Sequence, residues 1–378
     1  MKTKNISTIK LLILAILFIS SVLAAKQKII KFAGNNASMQ ERFDWAINQA
    51  SDLDAYWVGY QFERMMSENS QIGSWSSDED ENRPSLASLL GEPEPERFED
   101  WTFGKTAQMA LRGLMERQGK KEPLKVKRKI AILLRYQRHS STPRELATVD
   151  ISNTFLRVEL KGKPLYWLGD CTQEQSLGLL KQAMEEDPTN KRREELVTAF
   201  AMHSELPQLE TELHTIATQD KSDDVRENAV FWMGQLDSPK ALGLLKKIVE
   251  EDRSGDVREK AVFSISQMHS EEALNTLISL AKTHRDPEVR EKAIFWLSQK
   301  ASSKAAETLE EITYSADEIE VKEKAVFALS QRDDDQAVPK LIEIAREHPS
   351  NQIRRKAIFW LGQSEDPRAV EALIDLAK

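Results

Sequence analysis

The sequence predicts a mainly α-helical protein: an α-solenoid of about seven helical hairpins, preceded by a small helical segment and a short β-meander. Three observations predict this fold class. A 32-residue repeat runs without interruption through the C-terminal half, apolar residues recur at helical spacing within each repeat, and the chain ahead of the repeats has a different texture. Composition agrees, because 40% hydrophobic and 30% charged residues with only 14 Gly and 13 Pro suit a soluble helical protein.

Residues 1–24 have the pattern of a signal peptide. Lys2, Lys4 and Lys10 form a positive start, an apolar run covers Leu11–Leu23, and small residues lead to a cleavage site after Ala24. The run is shorter than the roughly 20 residues that span a bilayer as a helix. We therefore expect an exported protein, periplasmic or extracellular, with no stable membrane insertion. An uncleaved N-terminal anchor remains the alternative.

Charge and cysteine content narrow the function classes. The chain has 61 acidic and 53 basic residues and a net charge of −8, which becomes −11 once the three signal lysines are removed. A general nucleic-acid binder should carry a basic surplus, so we expect no nucleic-acid partner. Cys171 is the only cysteine, so packing rather than an internal disulfide must stabilise the fold.

The region between the signal and the repeats is predicted in three parts. Residues 25–75 form an N-terminal helical segment, whose helix from Ser38 to about Ser67 carries dense aromatic residues that we expect in a small core. Residues 76–104 are acidic and contain prolines, which indicates a flexible linker. Residues 105–163 contain a helix from Thr106 to Arg117 and then a β-meander that caps the solenoid. The meander comprises three alternating apolar runs, over 130–136, 147–151 and 156–160.

Residues 164–378 carry the repeat. Segments that begin at Val225, Val257, Val289, Val321 and Ile353 align without insertion. Every copy has alanine at the fourth position after this first residue, phenylalanine at the sixth and glutamine at the tenth. Two weaker copies lie upstream, and the first of them aligns 165–169 with 230–234.

Each repeat is predicted to be two helices joined by short breaks. Apolar residues recur at helical spacing in both halves, and Asp or Ser followed by Pro stands at breaks such as 237–239 and 285–287. A hairpin of this length cannot bury its apolar face alone, whereas stacked hairpins share one continuous core.

These residues resemble the HEAT-like repeat family, including the group named after phycobilisome lyases. The resemblance is carried by Asp224-Val225-Arg226 and its equivalents at 256–258, 288–290 and 320–322, each followed by alanine. It covers residues 164–378 and implies a solenoid whose Val-Arg helices line the concave side. It also implies that the acid-arginine pairs link one turn to the next. The family includes scaffolds, inhibitors and a few enzymes, so the resemblance implies little about activity.

Helical geometry places the repeated phenylalanines away from the core. With the first Val at zero, the fourth, fifth and eighth positions fall between about 40° and 140°, which is the buried side. The third, sixth and tenth positions fall between about 240° and 300°, on nearly the opposite side. Tryptophan stands beside this stripe in alternate repeats. Phenylalanine departs from the family habit of a polar sixth position.

Two interpretations of the stripe remain open. The aromatic rings, amides and ammonium groups form a groove that binds an extended or helical protein or peptide segment, or else each ring packs between neighbouring repeats and fixes curvature. The first interpretation selects as partner-binding candidates Tyr166, Phe231, Phe263, Phe295, Phe327, Phe359, Trp232, Trp296, Trp360, Gln235, Gln267, Gln299, Gln331, Gln363, Lys260, Lys292, Lys324 and Lys356.

No catalytic or metal-binding motif stands out. The six histidines show no two-histidine metal spacing on one helix, and no phosphate-binding loop or Gly-x-Ser-x-Gly turn is present. Cys171 is expected to be a buried, inert thiol. The sequence therefore predicts an exported scaffold that binds a protein partner and has no catalytic residue and no cofactor. A lyase- or hydroxylase-type enzyme, as the resemblance allows, and a tethered regulator of a membrane complex are the alternatives.

Overall fold

The computed structural model describes residues 28–34, 36–67, 85–92, 125–138, 144–153, 158, 160–186 and 190–378. The chain divides into two compact units, Met1–Leu206 and Pro207–Lys378. The signal segment 1–24, the helix predicted over 106–117 and most of the acidic linker lie outside the described residues. No helix in the described ranges is long and apolar enough to cross a membrane.

The first unit is built on a five-stranded sheet with the order β1-β5-β2-β3-β4. Strand β5 runs parallel to both β1 and β2, while β2, β3 and β4 form an antiparallel meander. The strands and helices of this unit are β1 (Ile29–Lys31), α1 (Met39–Gln49), β2 (Ala55–Ser67), α2 (Leu86–Leu90), β3 (Lys125–Gln137), β4 (Glu145–Asn153), β5 (Leu165–Asp170), α3 (Gln173–Glu186) and α4 (Asn190–Ala201).

The single helix predicted over Ser38 to Ser67 is wrong beyond residue 49. Helix α1 begins as expected, with a capping box in which Ser38 and Glu41 satisfy each other's backbone N–H groups. Residues 55–67 are instead the long strand β2 at the centre of the sheet. Both faces of β2 are covered, so residues 56–62 are all buried and their apolar run lacks the alternation that would distinguish a strand from a buried helix.

The predicted β-meander is confirmed for two of its three runs. Strands β3 and β4 contain the first and second runs and pair antiparallel, and β2 pairs with β3 over its whole length. The third run is not assigned to a strand at its two described residues, Val158 and Leu160, although both are buried against the sheet. The meander gains its third strand from β2, which the sequence analysis had assigned to a helix.

The expected linker contains a packed element. Helix α2 begins after Ser85, whose hydroxyl accepts the Ser88 N–H, and ends at Gly91 in the left-handed region with φ 68°. Leu86 and Leu90 are buried in the same cluster as Trp57 of the sheet. The acidic and proline-rich flanks indicated a linker, but burial of these leucines holds this short stretch in the core.

The second unit is a stack of helical hairpins, as the repeat predicts. In each repeat the first helix carries the Val-Arg pair or its equivalent, Val321-Lys322 or Ile353-Arg354, and the second helix follows it. The first helices are α6 (Asp223–Gln235), α8 (Gly255–Gln267), α10 (Pro287–Ser298), α12 (Ile319–Ser330) and α14 (Asn351–Leu361). The second helices are α5 (Leu209–Gln219), α7 (Pro239–Glu251), α9 (Glu271–Thr283), α11 (Ser303–Ser315), α13 (Asp334–Glu347) and α15 (Pro367–Leu376).

The predicted core positions of the repeat are confirmed. The first Val or Ile and the alanine at the fourth position after it are at most 1% exposed in all five copies. The predicted N-caps are confirmed too: the Ser238 hydroxyl accepts the Ala241 N–H, and Asp286 accepts the Glu288 N–H, each ahead of a proline in the first turn.

Buried or half-buried arginines link consecutive repeats. Arg226 donates to the carbonyl oxygen of Asp220 at 3.1 Å and makes two 3.1 Å bonds to the carboxylate of Asp252, which precedes the next first helix. Arg258 repeats this arrangement with the carbonyl oxygen of Asp252 and the carboxylate of Asp286. The expected ladder between turns is therefore present, with Asp252 and Asp286 as the carboxylates that link the repeats. Arg226 also pairs with Asp223 of its own helix, at 2.9 Å.

Candidate partner-binding face

The repeated aromatic residues lie together on the first helices of the second unit. We call this surface the aromatic face and define it by the rings and amides that the helices α6, α8, α10, α12 and α14 place side by side. Its members are Phe231, Phe263, Phe295, Phe327, Phe359, Trp232, Trp296, Trp360, Gln235, Gln267, Gln299, Gln331 and Gln363.

The rings are neither enclosed nor free. Phe295 is 43% exposed and Phe359 is 54% exposed, while the other phenylalanines and the three tryptophans are half-buried. In contrast, the residue immediately before each phenylalanine is at most 1% exposed in the first four repeats, as in Val262 and Ile294. Helical periodicity thus separates one buried and one solvent-facing apolar position in adjacent residues.

Ring contacts connect neighbouring repeats. Phe231 and Phe263 stack nearly parallel, with centroids 6.3 Å apart and an interplanar angle of 8°. Phe263 contacts Trp296 at 4.9 Å, and Trp296 contacts Phe295 of its own helix at 4.9 Å. Further along the stack, Phe327 and Phe359 both contact Trp360, at 5.1 and 5.0 Å. Trp296 and Trp360 therefore each contact a phenylalanine of their own repeat and one of the preceding repeat. The rings thus take part in packing between repeats, as the second interpretation of the stripe expects.

A short hydrogen-bond relay fixes three of the five glutamines, those of the second, third and fourth copies. The hydroxyl of Ser266 donates to the carbonyl oxygen of Phe263 at 2.6 Å and accepts from Nε2 of Gln267 at 3.2 Å. The same relay joins 295, 298 and 299, and again 327, 330 and 331. One amide hydrogen of each of these glutamines is used in this way. Their side chains are exposed, so the remaining amide groups face solvent.

The lysines of the stripe are paired with glutamates of the preceding repeat. The Lys260 ammonium lies 3.4 Å from the Glu227 carboxylate, and Lys292 lies 2.7 Å from Glu259. The same pair recurs at 324 with 291 and at 356 with 323, at 3.1 and 3.3 Å. Burial raises the pKa of Glu227 and Lys260 opposes this rise. The four lysine–glutamate pairs therefore form a ladder along the helices in which each pair has no net charge.

Sequence reasoning missed the glutamates and serines that hold this face. Both could have been found, because Glu is the second residue after the first Val in the first four repeats and Ser is the ninth in three of them. Their roles needed distances: each glutamate pairs with a lysine of the following repeat, and each serine bonds within its own helix.

A scan against protein-family models matches the HEAT repeats model in five overlapping windows, at 177–266, 210–298, 244–330, 274–347 and 306–378. Together these windows cover more than half of the chain. The chain belongs to the HEAT-repeat family. A search of the curated proteins finds no match.

Solved structures of other HEAT-like proteins are similar at low identity. Human deoxyhypusine hydroxylase is 19% identical over 54% of this chain and 78% of its own, with a TM-score of 0.25. The CpcE–CpcF complex of phycocyanin lyase from Nostoc sp. PCC7120 is 18% identical over 53% and 80%, with a TM-score of 0.31. AlkD2 from Streptococcus mutans is 20% identical over 49% and 97%, with a TM-score of 0.35.

The HEAT-repeat array begins later than the sequence predicted. Residues 165–169 were aligned with the first helix of a repeat, but they form strand β5 between β1 and β2. Tyr166 is 4% exposed and contacts Tyr56 and Trp45 across the sheet. It is therefore a core residue of the first unit and does not belong to the aromatic face. The short apolar run fits a central parallel strand equally well, so resemblance to 230–234 was misleading.

The first unit contains an open cavity of about 590 Å³ beside β5, lined among others by Asp170, Cys171 and Glu174. Burial, with Asp170 adding to it, raises the pKa of the Cys171 thiol to about 12. His203 is fully buried and bonds to Ser176 and to a backbone carbonyl. The raised pKa makes the thiol a poor nucleophile at neutral pH. Cys171 is half-buried, whereas the sequence predicts a buried thiol.

Within the described ranges no group of three or more His, Cys, Asp and Glu side chains could hold a metal ion.

Proposed function

We propose that this protein is a scaffold that binds a protein or peptide partner along its aromatic face. The observation that carries the proposal is the exposure of Phe295 and Phe359, at 43% and 54%, in a row of rings that recurs in all five copies of the repeat. When a partner covers large aromatic rings that were exposed to water, the free energy of the complex is lowered. Aromatic residues dominate binding surfaces for this reason.

The surroundings of the rings support binding rather than packing alone. Core packing of the repeats is already provided by buried residues such as Val257, Ala261 and Ile265. The glutamine relays add polar groups beside the rings, and aromatic anchors with a polar rim are typical of interfaces. Neighbouring rings hold one another in place, so little side-chain entropy is lost when a partner binds.

We also propose that the protein acts after export, in the periplasm or outside the cell. The three lysines and the apolar run of residues 1–24 support this proposal. N-terminal sequencing of the protein recovered from its native compartment tests it. A mature chain that begins at residue 25 is expected, and a chain that retains residues 1–24 would instead favour the tethered regulator.

A photo-reactive amino acid placed on the aromatic face tests the binding proposal directly. The residue replaces Phe295 on helix α10, and a matched control replaces Tyr314 on the second helix α11, where an aromatic side chain is 37% exposed. After irradiation in the native compartment, we expect a defined covalent adduct from position 295, identified by mass spectrometry, and none from position 314. Equal adducts from both positions, or none from position 295, would contradict the proposal.

A further inference from the structure

The glutamine side chains of the aromatic face recur once in each repeat, and we call each of them a rung. Packed helices lie about 8–10 Å apart, so neighbouring glutamines on consecutive first helices are separated by roughly this distance. The structure supports close packing of these helices, because rings and ion pairs bridge each repeat to the next, as in Phe231 with Phe263 and Lys292 with Glu259.

Only some backbone conformations present equivalent groups at this spacing. A polyproline II helix has three residues per turn and a rise of about 3.1 Å, so every third residue faces the same side about 9.3 Å further on. A β-strand turns alternate residues to opposite faces, about 6.7 Å apart for equivalent residues. An α-helix repeats about every 5.4 Å along its axis, and two turns advance about 10.8 Å, so neither step lies within about 8–10 Å. Of the three, the polyproline II helix fits one contact per repeat.

The chemistry of the face fits the same conformation. A polyproline II segment makes no internal hydrogen bonds, so its carbonyl oxygens are available as acceptors. Gln267 and Gln299 each use one Nε2 hydrogen on a serine hydroxyl. Within the described ranges the second hydrogen has no protein acceptor, and it can donate to a carbonyl of a bound segment. Half-exposed rings between these amides are the surface on which proline rings pack.

Charge selects the composition of the partner segment. Each lysine of the stripe is neutralised by a glutamate of the preceding repeat, as with Lys260 and Glu227 or Lys324 and Glu291. The ladder therefore leaves no charge of one sign for a partner to neutralise. An uncharged segment matches this face, whereas a strongly basic or acidic segment would gain nothing from it and would lose hydration.

We propose that the partner segment is an uncharged, proline-rich stretch in the polyproline II conformation, docked with one residue in three on each glutamine rung. Five rungs, from Gln235 to Gln363, span four repeat steps. At about 9.3 Å per step this corresponds to roughly 37 Å, or about 13 residues. The proposal rests on the proposed function, since it names the class of partner for the same face.

A peptide length series tests this proposal on the full chain. The probes are uncharged peptides built from one, two, three or four Pro-Pro-Ala triplets and a final proline, and binding is measured by calorimetry and by tryptophan emission. We expect affinity to rise about three- to tenfold with each added triplet, as one further hydrogen bond forms. A Gly-Ser peptide as long as the four-triplet probe is the control for length and should bind at least tenfold more weakly than that probe.

Matched variants locate the binding. Gln299→Ala and Phe295→Ala should each weaken binding of the longest peptide about threefold or more, whereas Tyr314→Ala on the second helix should leave it unchanged. Circular dichroism of each variant must match the unmodified chain. Gln299→Glu is the second variant at that rung, because it keeps the size of the side chain while removing the amide donor, and it should weaken binding as the alanine does.

The outcomes separate the two proposals. If an uncharged amphipathic helical peptide binds the aromatic face and the proline peptides do not, the polyproline assignment is wrong while the proposed function stands. If affinity is independent of length, the rung-by-rung fit is wrong. If position 295 also gives no adduct in the native compartment, the proposed function fails as well.

Discussion

Two helical glycines of the second unit provide a test of how tightly its hairpins pack. Gly234 lies near the end of helix α6, where an added Cβ would meet Ser264 Cβ at 2.7 Å and the Ser264 Cα and carbonyl oxygen at 3.0 Å. Gly243 lies in helix α7, where an added Cβ would meet nothing within 4 Å. The same substitution, glycine to alanine, should therefore have opposite effects at the two sites.

The expected magnitudes follow from helix propensity and overlap. Alanine favours a helix interior over glycine by about 1 kcal/mol, so Gly243→Ala should raise the free energy of unfolding by roughly 0.5–1 kcal/mol. Gly234→Ala has the same gain, but two of its three close contacts are backbone atoms, which cannot rotate away. Overpacking of this kind costs about 1–3 kcal/mol, which offsets or exceeds the propensity gain of about 0.5–1 kcal/mol, so a net loss of up to about 2 kcal/mol is expected.

Urea unfolding followed by circular dichroism and tryptophan fluorescence measures both effects on the full chain. Repeat arrays can unfold in more than one step, so the two variants are compared by the shift of the transition that contains Trp232 and Trp296. If Gly234→Ala were as stabilising as Gly243→Ala, helices α6 and α8 would not be in contact as described. The stacking of the first two complete hairpins would then need revision.

Three further predictions concern buried charges and titrating groups. Arg226→Met should destabilise the second unit by about 3 kcal/mol, because it leaves the carboxylate of Asp252 buried without its cationic partner. Lys324→Met, which removes an exposed ion pair, should change the free energy of unfolding by less than about 1 kcal/mol. Urea titration measures both changes, and equal effects would contradict the assigned burial. Burial lowers the pKa of His203 to about 4, below the usual 6.5. The stability that neutral His203 contributes is therefore present above pH 6.5, and up to about 3 kcal/mol of it is lost as the pH falls toward 4. His203→Gln should flatten the dependence of the urea midpoint on pH over this range, and an unchanged dependence would refute the assignment. Cys171, whose pKa is raised to about 12, should react with iodoacetamide at pH 7.5 at least tenfold more slowly than free cysteine, and a rate equal to that of free cysteine would show an accessible thiolate.

The repeat could be predicted because it is a local pattern copied many times. Constant spacing fixed the helices, and the periodicity of Val257, Ala261 and Phe263 fixed which side of the first helix is buried. The exposure of the rings followed from the same angles. The contacts between repeats could not be predicted in this way. A lysine contacts a glutamate of the preceding repeat, and no period within one helix reveals such a pair.

The sheet could be predicted only in part, for a physical reason. Residues 56–62 of β2, 130–134 of β3 and 165–168 of β5 are each buried in an unbroken run, so alternation is confined to β4 and to the ends of β2 and β3. Trp57 packs on one face of the sheet and Tyr56 on the other, so two consecutive residues of β2 are both buried and aromatic. An apolar run of this kind is compatible with strand or helix until its partners are known. Tyr166 is predicted on the stripe because residues 165–169 align with 230–234, and the buried run of β5 gives no alternation that would contradict this alignment.

The most direct test of the proposed binding face removes three of its rings at once. Phe263→Ala, Phe295→Ala and Phe327→Ala are combined, with Tyr314→Ala as the control, and capture of the partner identified at position 295 is measured beside helical circular dichroism. We expect capture to be lost from the triple variant alone, with its helical signal within about 10% of the unmodified chain, because half-exposed rings contribute less to folding than core residues do. Retained capture, or loss of helical signal together with capture, would contradict a binding role for the aromatic face.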